Sequence, residues 1–321
     1  MNLHAPPVRI ERDPISALVA NGDAAPAALC IITRTEGPSY RPVGAVMAII
    51  GDVGRVGTLS SGCIERDLTL HAGRALAKGA PVTVLYGRGS PYIDIDLPCG
   101  GGLEILVVPA PDVEVLTALA SRRANRQPAT LVIDRETGAL RLSETGETGW
   151  SPDNRTFVVR FVPELRFLIF GKGPEAATLA AMVQAAGYPN QLLSPDVETL
   201  EIGAGAGCKT THLTKPAIPA SGTDTDLWTA IVLFFHDHDW EPPILVDALK
   251  TRAFYIGAQG SQRARDARLA ALEAMGVSYD ARARLHGPIG LVPSARDART
   301  LAVSVFAEVL GVAKQRGVQG P

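Results

Sequence analysis

The sequence has few cysteines, almost no net charge and no long apolar runs. Its four cysteines, Cys30, Cys63, Cys99 and Cys208, lie far apart without a C-x-x-C pair, so neither a zinc ribbon nor a disulfide framework is indicated. A net charge of −2 gives no electrostatic footprint for nucleic acid. No apolar run is long enough to span a bilayer, and the first residues carry charges and prolines instead of a secretory signal's apolar core. We therefore expect a cytoplasmic protein without an integral membrane segment.

The length and composition are those of a globular protein with two cores. The chain has 321 residues, of which 46% are hydrophobic and 20% charged. A polar, non-periodic run from Ser143 to Asn154 predicts a surface loop, and one further strand follows it before Pro163. The sequence therefore predicts an α/β protein with a mixed N-terminal domain over residues 1–163 and a parallel-sheet, Rossmann-like domain over residues 164–321.

The stretch that begins the second domain has the pattern of a βαβ unit. An apolar run from Phe167 to Phe170 suits a strand buried on both faces, and Gly171 and Gly173 form a turn directly after it. Pro174 suits the first turn of a helix, since its missing N–H is not needed there. Together with Ala176, these glycines give the G-x-G-x-x-A form of the dinucleotide fingerprint.

The next strand lacks the acidic residue of a classical NAD site. It ends in Ser194, and Asp196 comes two places late. A doubly wound domain that binds something else, or nothing, is therefore favoured over NAD(P). An NAD(P)-dependent oxidoreductase stays an alternative, in which His236 and His238 after an apolar strand are candidate catalytic proton donors; metal binding or a plain hydrogen-bonded loop are the other interpretations of these histidines.

The first domain contains the clearest candidate thiol. Helical spacing starts directly after Cys63, so we expect this cysteine at a helix N-terminus, where the macrodipole favours a thiolate. Ser60, Ser61 and Gly62 form a small-residue loop suited to cradle an anion. A helix cap with a buried thiol is the alternative. Cys30, by contrast, is expected in the core.

Other candidate binding residues lie in loops rich in glycine or arginine. Arg41 follows a two-proline loop and suits an anion or the surface, and Gly100 and Gly101 after Cys99 let backbone approach a bulky ligand. A mobile loop is expected at residues 203–210. In the second domain, Ser261 is expected to cap a helix whose first turn carries Arg263, a pairing that suits an anion.

Placed in order, these motifs resemble the XdhC/CoxI family, the molybdenum cofactor maturation factors of xanthine dehydrogenase and related hydroxylases. The first domain is similar to the CoxI-type domain and the second to the XdhC Rossmann domain. The matching segments are Arg34-Thr-Glu-Gly-Pro-Ser-Tyr-Arg-Pro-Val-Gly-Ala45, Ser60-Ser-Gly-Cys-Ile-Glu65, Cys99-Gly-Gly-Gly102, Ile169-Phe-Gly-Lys-Gly173, His236-Asp-His-Asp239, Tyr255-Ile-Gly-Ala-Gln-Gly-Ser261, Pro288-Ile-Gly-Leu291 and Ala302-Val-Ser-Val-Phe-Ala-Glu308. The family usually has two glycines where this chain has Ser61 and Gly62.

The resemblance implies a cofactor chaperone more than a turnover enzyme. Such a protein holds the molybdenum cofactor (molybdopterin), supports its sulfuration and passes it to an apo molybdenum hydroxylase, usually as a homodimer and in some cases with a cysteine desulfurase as a further partner. Cys63 and Cys99 match the family's cysteine motifs and are the candidates near molybdenum. A ligand-free assembly scaffold, for which both cysteines are dispensable, is the second alternative.

Overall fold

A computed structural model describes residues 13–51, 54–87, 100–218, 223–235 and 239–318. These residues fall into two units, with the division between Pro163 and Glu164. The residues up to Pro163 form the N-terminal unit, and those from Glu164 onward form the C-terminal unit.

The N-terminal unit contains two antiparallel sheets and three helices in the described part of the chain. The five-stranded sheet has the order β3-β2-β1-β5-β4, and the four-stranded sheet has the order β7-β6-β9-β8. The elements are α1 (Pro14–Asn21), β1 (Ala27–Glu36), β2 (Val46–Ile50), β3 (Gly54–Val56), α2 (Glu65–Lys78), β4 (Val82–Gly87), β5 (Gly102–Pro109), α3 (Val113–Ala124), β6 (Ala129–Asp134), β7 (Leu140–Ser143), β8 (Gly149–Trp150) and β9 (Thr156–Phe161).

The central strand β1 has both of its faces buried. Successive side chains of a strand point to opposite faces, so Leu29 and Ile31 pack with α1, α3 and the four-stranded sheet. Cys30 and Ile32 pack on the other face with the apolar side of α2. This arrangement explains why β1 is a continuous apolar run, and it confirms the expected burial of Cys30.

The C-terminal unit is built on a six-stranded parallel sheet, which confirms the expected Rossmann-like domain. The strand order is β12-β11-β10-β13-β14-β15. The elements are β10 (Arg166–Gly171), α4 (Pro174–Ala185), β11 (Asn190–Ser194), α5 (Val197–Gly205), β12 (Lys209–His212), β13 (Thr229–Phe234), α6 (Glu241–Lys250), β14 (Tyr255–Ala258), α7 (Gln262–Ala274), α8 (Tyr279–Ala283), β15 (Leu285–His286) and α9 (Ala298–Gln315).

Residues 203–210 correct one sequence prediction. The expected mobile loop instead contains the end of α5 and the start of β12. A Cβ at Gly203 would lie 2.5 Å from the Leu192 side chain, so this glycine lets α5 pack closely on β11. The glycines indicate tight packing here, which local composition does not distinguish from a flexible loop.

Candidate functional site

A closed loop between β3 and α2 carries Cys63. Leu59 and Ile64 lie near the two ends of the loop, and both are fully buried in the core that faces α2. The helix begins at Glu65, one residue later than the sequence predicts, with Ile64 as the N-cap. Cys63 therefore lies just before the helix, and it is exposed.

The carboxylate of Glu65 turns back onto this loop and binds five donors. Its Oε1 accepts from the Thr58 hydroxyl at 2.5 Å and from the amides of Leu59 at 2.9 Å and Ser60 at 2.8 Å. Its Oε2 accepts from the Ser60 hydroxyl at 2.8 Å and from the Ile64 amide at 3.2 Å. Glu65 is 4% exposed. The residues from Thr58 to Ile64, called the Cys63 loop below, are thus wrapped around an internal anion.

This internal anion occupies part of the predicted anion cradle. Burial acts to raise the pKa of Glu65, but the hydrogen bonds from Thr58, Ser60 and Leu59 outweigh it and lower the pKa to about 2. The carboxylate is therefore ionised at neutral pH. The amide and hydroxyl of Ser60, which were predicted to meet an external anion, donate instead to the protein's own carboxylate.

The tip of the Cys63 loop has an unusual backbone. Ser61 has φ of 63° and Gly62 has φ of 105°, both in the region that glycine adopts most easily. The Ser61 amide donates to the Thr58 hydroxyl at 3.0 Å, and this hydroxyl itself donates to Glu65. The positive φ at Ser61 gives a physical reason for the glycine that the family usually has at this place.

Cys63 is the exposed thiol among the described cysteines. Cys30 and Cys208 are buried, and burial raises the pKa of the first to about 12 and of the second to about 11. Neither forms appreciable thiolate at neutral pH. Cys99, the other cysteine predicted near molybdenum, lies outside the described residues.

The structure brings together two further predicted segments of the N-terminal unit. A Cβ at Gly101 would lie 2.1 Å from the Pro38 carbonyl oxygen and 2.9 Å from that of Glu36, so only glycine fits there. The exposed Gly100 and the buried Gly101 therefore lie against the loop that carries the half-buried Arg41. The sequence predicts binding residues in both the loop of Arg41 and the segment Gly100–Gly101, and the structure places these two segments in contact.

The glycine turn of the C-terminal unit is a close-packed strand–helix junction. A Cβ at Gly171 would lie 2.8 Å from the Cβ atoms of Ala176 and Phe234. Gly173 has φ of 95° and is the N-cap of α4. Its amide, which a pyrophosphate would contact in a dinucleotide site, donates to the Thr199 hydroxyl at 2.8 Å.

Two carboxylates lie around this turn, which itself carries Lys172. The Thr199 hydroxyl donates to Asp196, whose carboxylate caps α5. These hydrogen bonds lower the pKa of Asp196. The Glu175 carboxylate lies 3.5 Å from where a Cβ of Gly173 would stand. Asp196 thus serves as a helix cap, and a second carboxylate stands beside the turn, where it would repel a pyrophosphate.

Ser261 and Arg263 stand at the N-terminus of α7. The Ser261 hydroxyl accepts from the Ala264 amide at 3.2 Å, which confirms the predicted cap. Arg263 is exposed in the first turn. One turn later, Arg268 is buried and binds Glu241 through Nε at 2.5 Å and Nη2 at 3.1 Å. Sequence reasoning missed this buried ion pair.

The carboxylate of Glu308, which was also not predicted from the sequence, fixes the turn after β15. The Glu308 carboxylate of α9 accepts from the Gly290 amide and, at 2.8 Å, from the Tyr255 hydroxyl. Burial, then the charge and hydrogen bond of Glu308, raise the pKa of Tyr255. His286 stacks on the Tyr255 ring with centroids 4.5 Å apart, and its pKa is lowered chiefly by burial. The cluster of Glu308, Tyr255 and His286 thus holds the backbone at Gly290 in place.

The remaining predicted residues are His236 and His238, which lie outside the described residues. In the described ranges, no group of three or more His, Cys, Asp or Glu side chains is arranged to hold a metal ion. Within the same ranges, no helix combines the length and apolarity needed to cross a membrane.

Glu65 carried only a general sequence signal, that of an acidic residue in the first turn of a helix. A capping box would need serine or threonine three residues earlier, where this chain has Gly62. Glu308 carried no comparable signal, because its partners Tyr255 and Gly290 are brought to it by the tertiary fold.

Comparisons with known sequences define the class of protein. The sequence model of the XdhC Rossmann domain matches residues 167–309, and that of the XdhC and CoxI family matches residues 22–87. The molybdenum cofactor insertion chaperone PaoD of Escherichia coli K12 is 33% identical over 287 residues, which are 89% of this chain and 83% of that protein. The chain belongs to the XdhC and CoxI family, as its motifs indicate.

A further sequence relative and a solved structure of the same fold both carry the name of xanthine dehydrogenase. A Bacillus subtilis 168 protein, named as a probable subunit of xanthine dehydrogenase, is 25% identical over 328 residues, covering 92% of this chain and 96% of that protein. A crystal structure described as a xanthine dehydrogenase from Bacillus halodurans has a TM-score of 0.75 at 21% identity and covers 95% of this chain and 97% of that one. The structural likeness supports the fold.

Proposed function

We propose that the chain binds the molybdenum cofactor, protects it and inserts it into an apo molybdenum hydroxylase of the xanthine dehydrogenase type. The observation that carries the proposal is the exposed Cys63 on a preorganised loop. A thiolate is a soft ligand, and soft sulfur ligands suit molybdenum bound by a dithiolene. The relation to a protein named as a cofactor insertion chaperone agrees with this chemistry.

Preorganisation suits a carrier that receives and releases a fragile cargo. A loop that is already folded loses little conformational entropy when the cargo arrives, and it keeps the thiol in one position. Because the hydrogen bonds of Glu65 are internal, the loop needs no bound anion to hold its shape. The thiol then acts as a removable ligand, which a receiving enzyme can replace.

The other predicted contacts of the N-terminal unit are assigned to the pterin and its phosphate. We assign the loop of Arg41 and Gly100–Gly101, with Cys99, to the same cofactor as Cys63. In the C-terminal unit, taken by itself, Ser261 and Arg263 offer a helix N-terminus and a cation for an anionic group. A homodimer and a cysteine desulfurase partner belong to the same proposal.

An NAD(P)-dependent oxidoreductase is supported less well. The Gly173 amide already has an acceptor in Thr199, and Glu175 places negative charge beside the turn. Both features weaken a pyrophosphate site at Gly171 and Gly173.

The proposal is tested by anaerobic gel filtration of the protein with molybdenum cofactor, followed by oxidation and pterin fluorescence of the protein peak. We expect co-elution with the wild type and loss of pterin from Cys63→Ala. Cys208→Ala is the matched control, because it removes a buried thiol of the other unit and should keep the pterin.

The outcomes separate the three functions. If Cys63→Ala supports cofactor loading of an apo-hydroxylase as well as the wild type does, the scaffold interpretation, in which this cysteine is dispensable, is favoured. If no pterin travels with the wild type, and NAD(P)H raises its melting temperature, the oxidoreductase replaces the chaperone.

A further inference from the structure

We infer that Glu65 is a positioning residue that sets where the Cys63 thiol meets its ligand. The inference rests on the proposed role of Cys63 in holding the molybdenum cofactor. Glu65 touches no cargo in this scheme and acts through the loop that it organises.

The partners of Glu65 lie at both ends of the Cys63 loop. Glu65 holds the first part of the loop through Thr58, Leu59 and Ser60, and its last part through Ile64. One buried carboxylate therefore ties together both ends of a seven-residue segment whose exposed tip carries the thiol. No helix or strand spans this segment, so these hydrogen bonds define its shape.

A hydrogen-bond relay connects the carboxylate to the tip of the loop. The Thr58 hydroxyl donates to Glu65 and accepts from the Ser61 amide at 3.0 Å. Ser61 is held at a positive φ, a conformation that a non-glycine residue keeps only when its surroundings impose it. The relay supplies that constraint, and Cys63 follows two residues later.

Only an ionised group satisfies all of these donors. A glutamine offers one acceptor oxygen and places N–H groups against the remaining amides and hydroxyls. Several buried donors would then lose their acceptor, so we expect the loop to open.

The same helix provides a matched control. Asp67 lies in the first turn of α2, like Glu65, but its carboxylate accepts from the Tyr86 hydroxyl at 2.6 Å and lies 3.3 Å from His71 Nε2. Asp67→Asn makes the same acid-to-amide change in α2 without removing any of the Glu65 hydrogen bonds.

The experiment measures two quantities on the full chain of wild type, Glu65→Gln, Thr58→Val and Asp67→Asn. The first is the anaerobic affinity for molybdenum cofactor. The second is the rate of Cys63 alkylation by iodoacetamide at pH 8, resolved by peptide mass spectrometry, which needs no cofactor. Circular dichroism establishes that each variant is folded.

For Glu65→Gln we expect about a tenfold or greater loss of affinity, the consequence of at least one orphaned buried donor, and a changed rate of Cys63 alkylation, because the opened loop no longer fixes the position of the thiol. Thr58→Val should lose affinity with a smaller change in the alkylation rate, because four of the five hydrogen bonds to Glu65 stay. Asp67→Asn should match the wild type in both measurements.

Wild-type affinity and an unchanged rate of Cys63 alkylation in Glu65→Gln would overturn the inference. Equal losses in Asp67→Asn would overturn it too, since the effect would then be a general one of α2. If Glu65→Gln does not fold, the Thr58→Val variant is decisive, and wild-type affinity in that variant refutes the positioning role. Failure of the wild type to bind cofactor refutes the proposed function instead, while the alkylation rates still test Glu65.

Discussion

Replacing Glu65 by Gln should destabilise the N-terminal unit in a way that depends on pH. The buried carboxylate has a pKa of about 2 in the folded chain against 4.5 for an ordinary glutamate. A carboxyl group with a depressed pKa stabilises the fold fully above pH 4.5, and this stabilisation is lost as the pH falls toward 2. The difference in the free energy of unfolding between the wild type and Glu65→Gln should therefore shrink in acid.

The size of the effect follows from the same shift. One pKa unit corresponds to about 1.4 kcal/mol, so a shift of about 2.5 units gives a free energy of about 3 kcal/mol. Glu65 is only 4% exposed, so solvent screening reduces this value little. With a urea dependence of roughly 1 to 3 kcal/mol per molar, the unfolding midpoint at pH 7 should fall by about 1 M or more.

The assay is urea unfolding, followed by the fluorescence of Trp150. The protein also carries Trp228→Phe and Trp240→Phe, so that Trp150 in the N-terminal unit is the single tryptophan of the chain. The free-energy difference between wild type and Glu65→Gln is measured at pH 7 and at steps down to pH 3. A difference below about 1 kcal/mol at pH 7, or one that stays constant into acid, would refute the hydrogen-bonded carboxylate as the organiser of this loop.

Two further predictions concern packing and thiol reactivity. Gly171→Ala should destabilise the C-terminal unit by about 1–3 kcal/mol, because its Cβ would stand 2.8 Å from Ala176, Phe234 and backbone. Gly311→Ala, in helix α9 with no atom within 4 Å, should instead stabilise it by about 0.5–1 kcal/mol; urea unfolding of both variants checks the opposite signs. At pH 8, iodoacetamide should label Cys63 well before Cys30 and Cys208, whose pKa values burial raises to about 12 and about 11. Peptide mass spectrometry measures this order, and equal rates would contradict the burial of the two core thiols.

The parts of the fold that follow local rules were predictable from the sequence. The strand ending at Gly171 and the helix beginning at Pro174 were predicted within a residue or two, because a buried apolar run, a glycine turn and an N-terminal proline are all local signals. The capping of α7 by Ser261 is a signal of the same kind.

Features that depend on tertiary contacts were not predictable. Gly203 suggested flexibility, but its role is to let α5 approach Leu192 closely. The serines before Cys63 suggested an external anion, because the sequence does not show that Glu65 folds back to supply the anion from within. Cys63 could thus be identified from its motif, whereas Glu65, which shapes its loop, could be identified only from the structure.

Whether bound cofactor covers Cys63 decides between a thiol ligand and a thiol without a role in binding. The anaerobic complex and the free protein are treated with iodoacetamide, the bound pterin is quantified by fluorescence, and the Cys63 peptide is analysed by mass spectrometry. If Cys63 is a ligand of the cargo, its alkylation should slow in proportion to the fraction of protein that carries cofactor. An unchanged rate in fully loaded protein would contradict the proposed function, because the thiol that the loop presents would then be no ligand of the cargo.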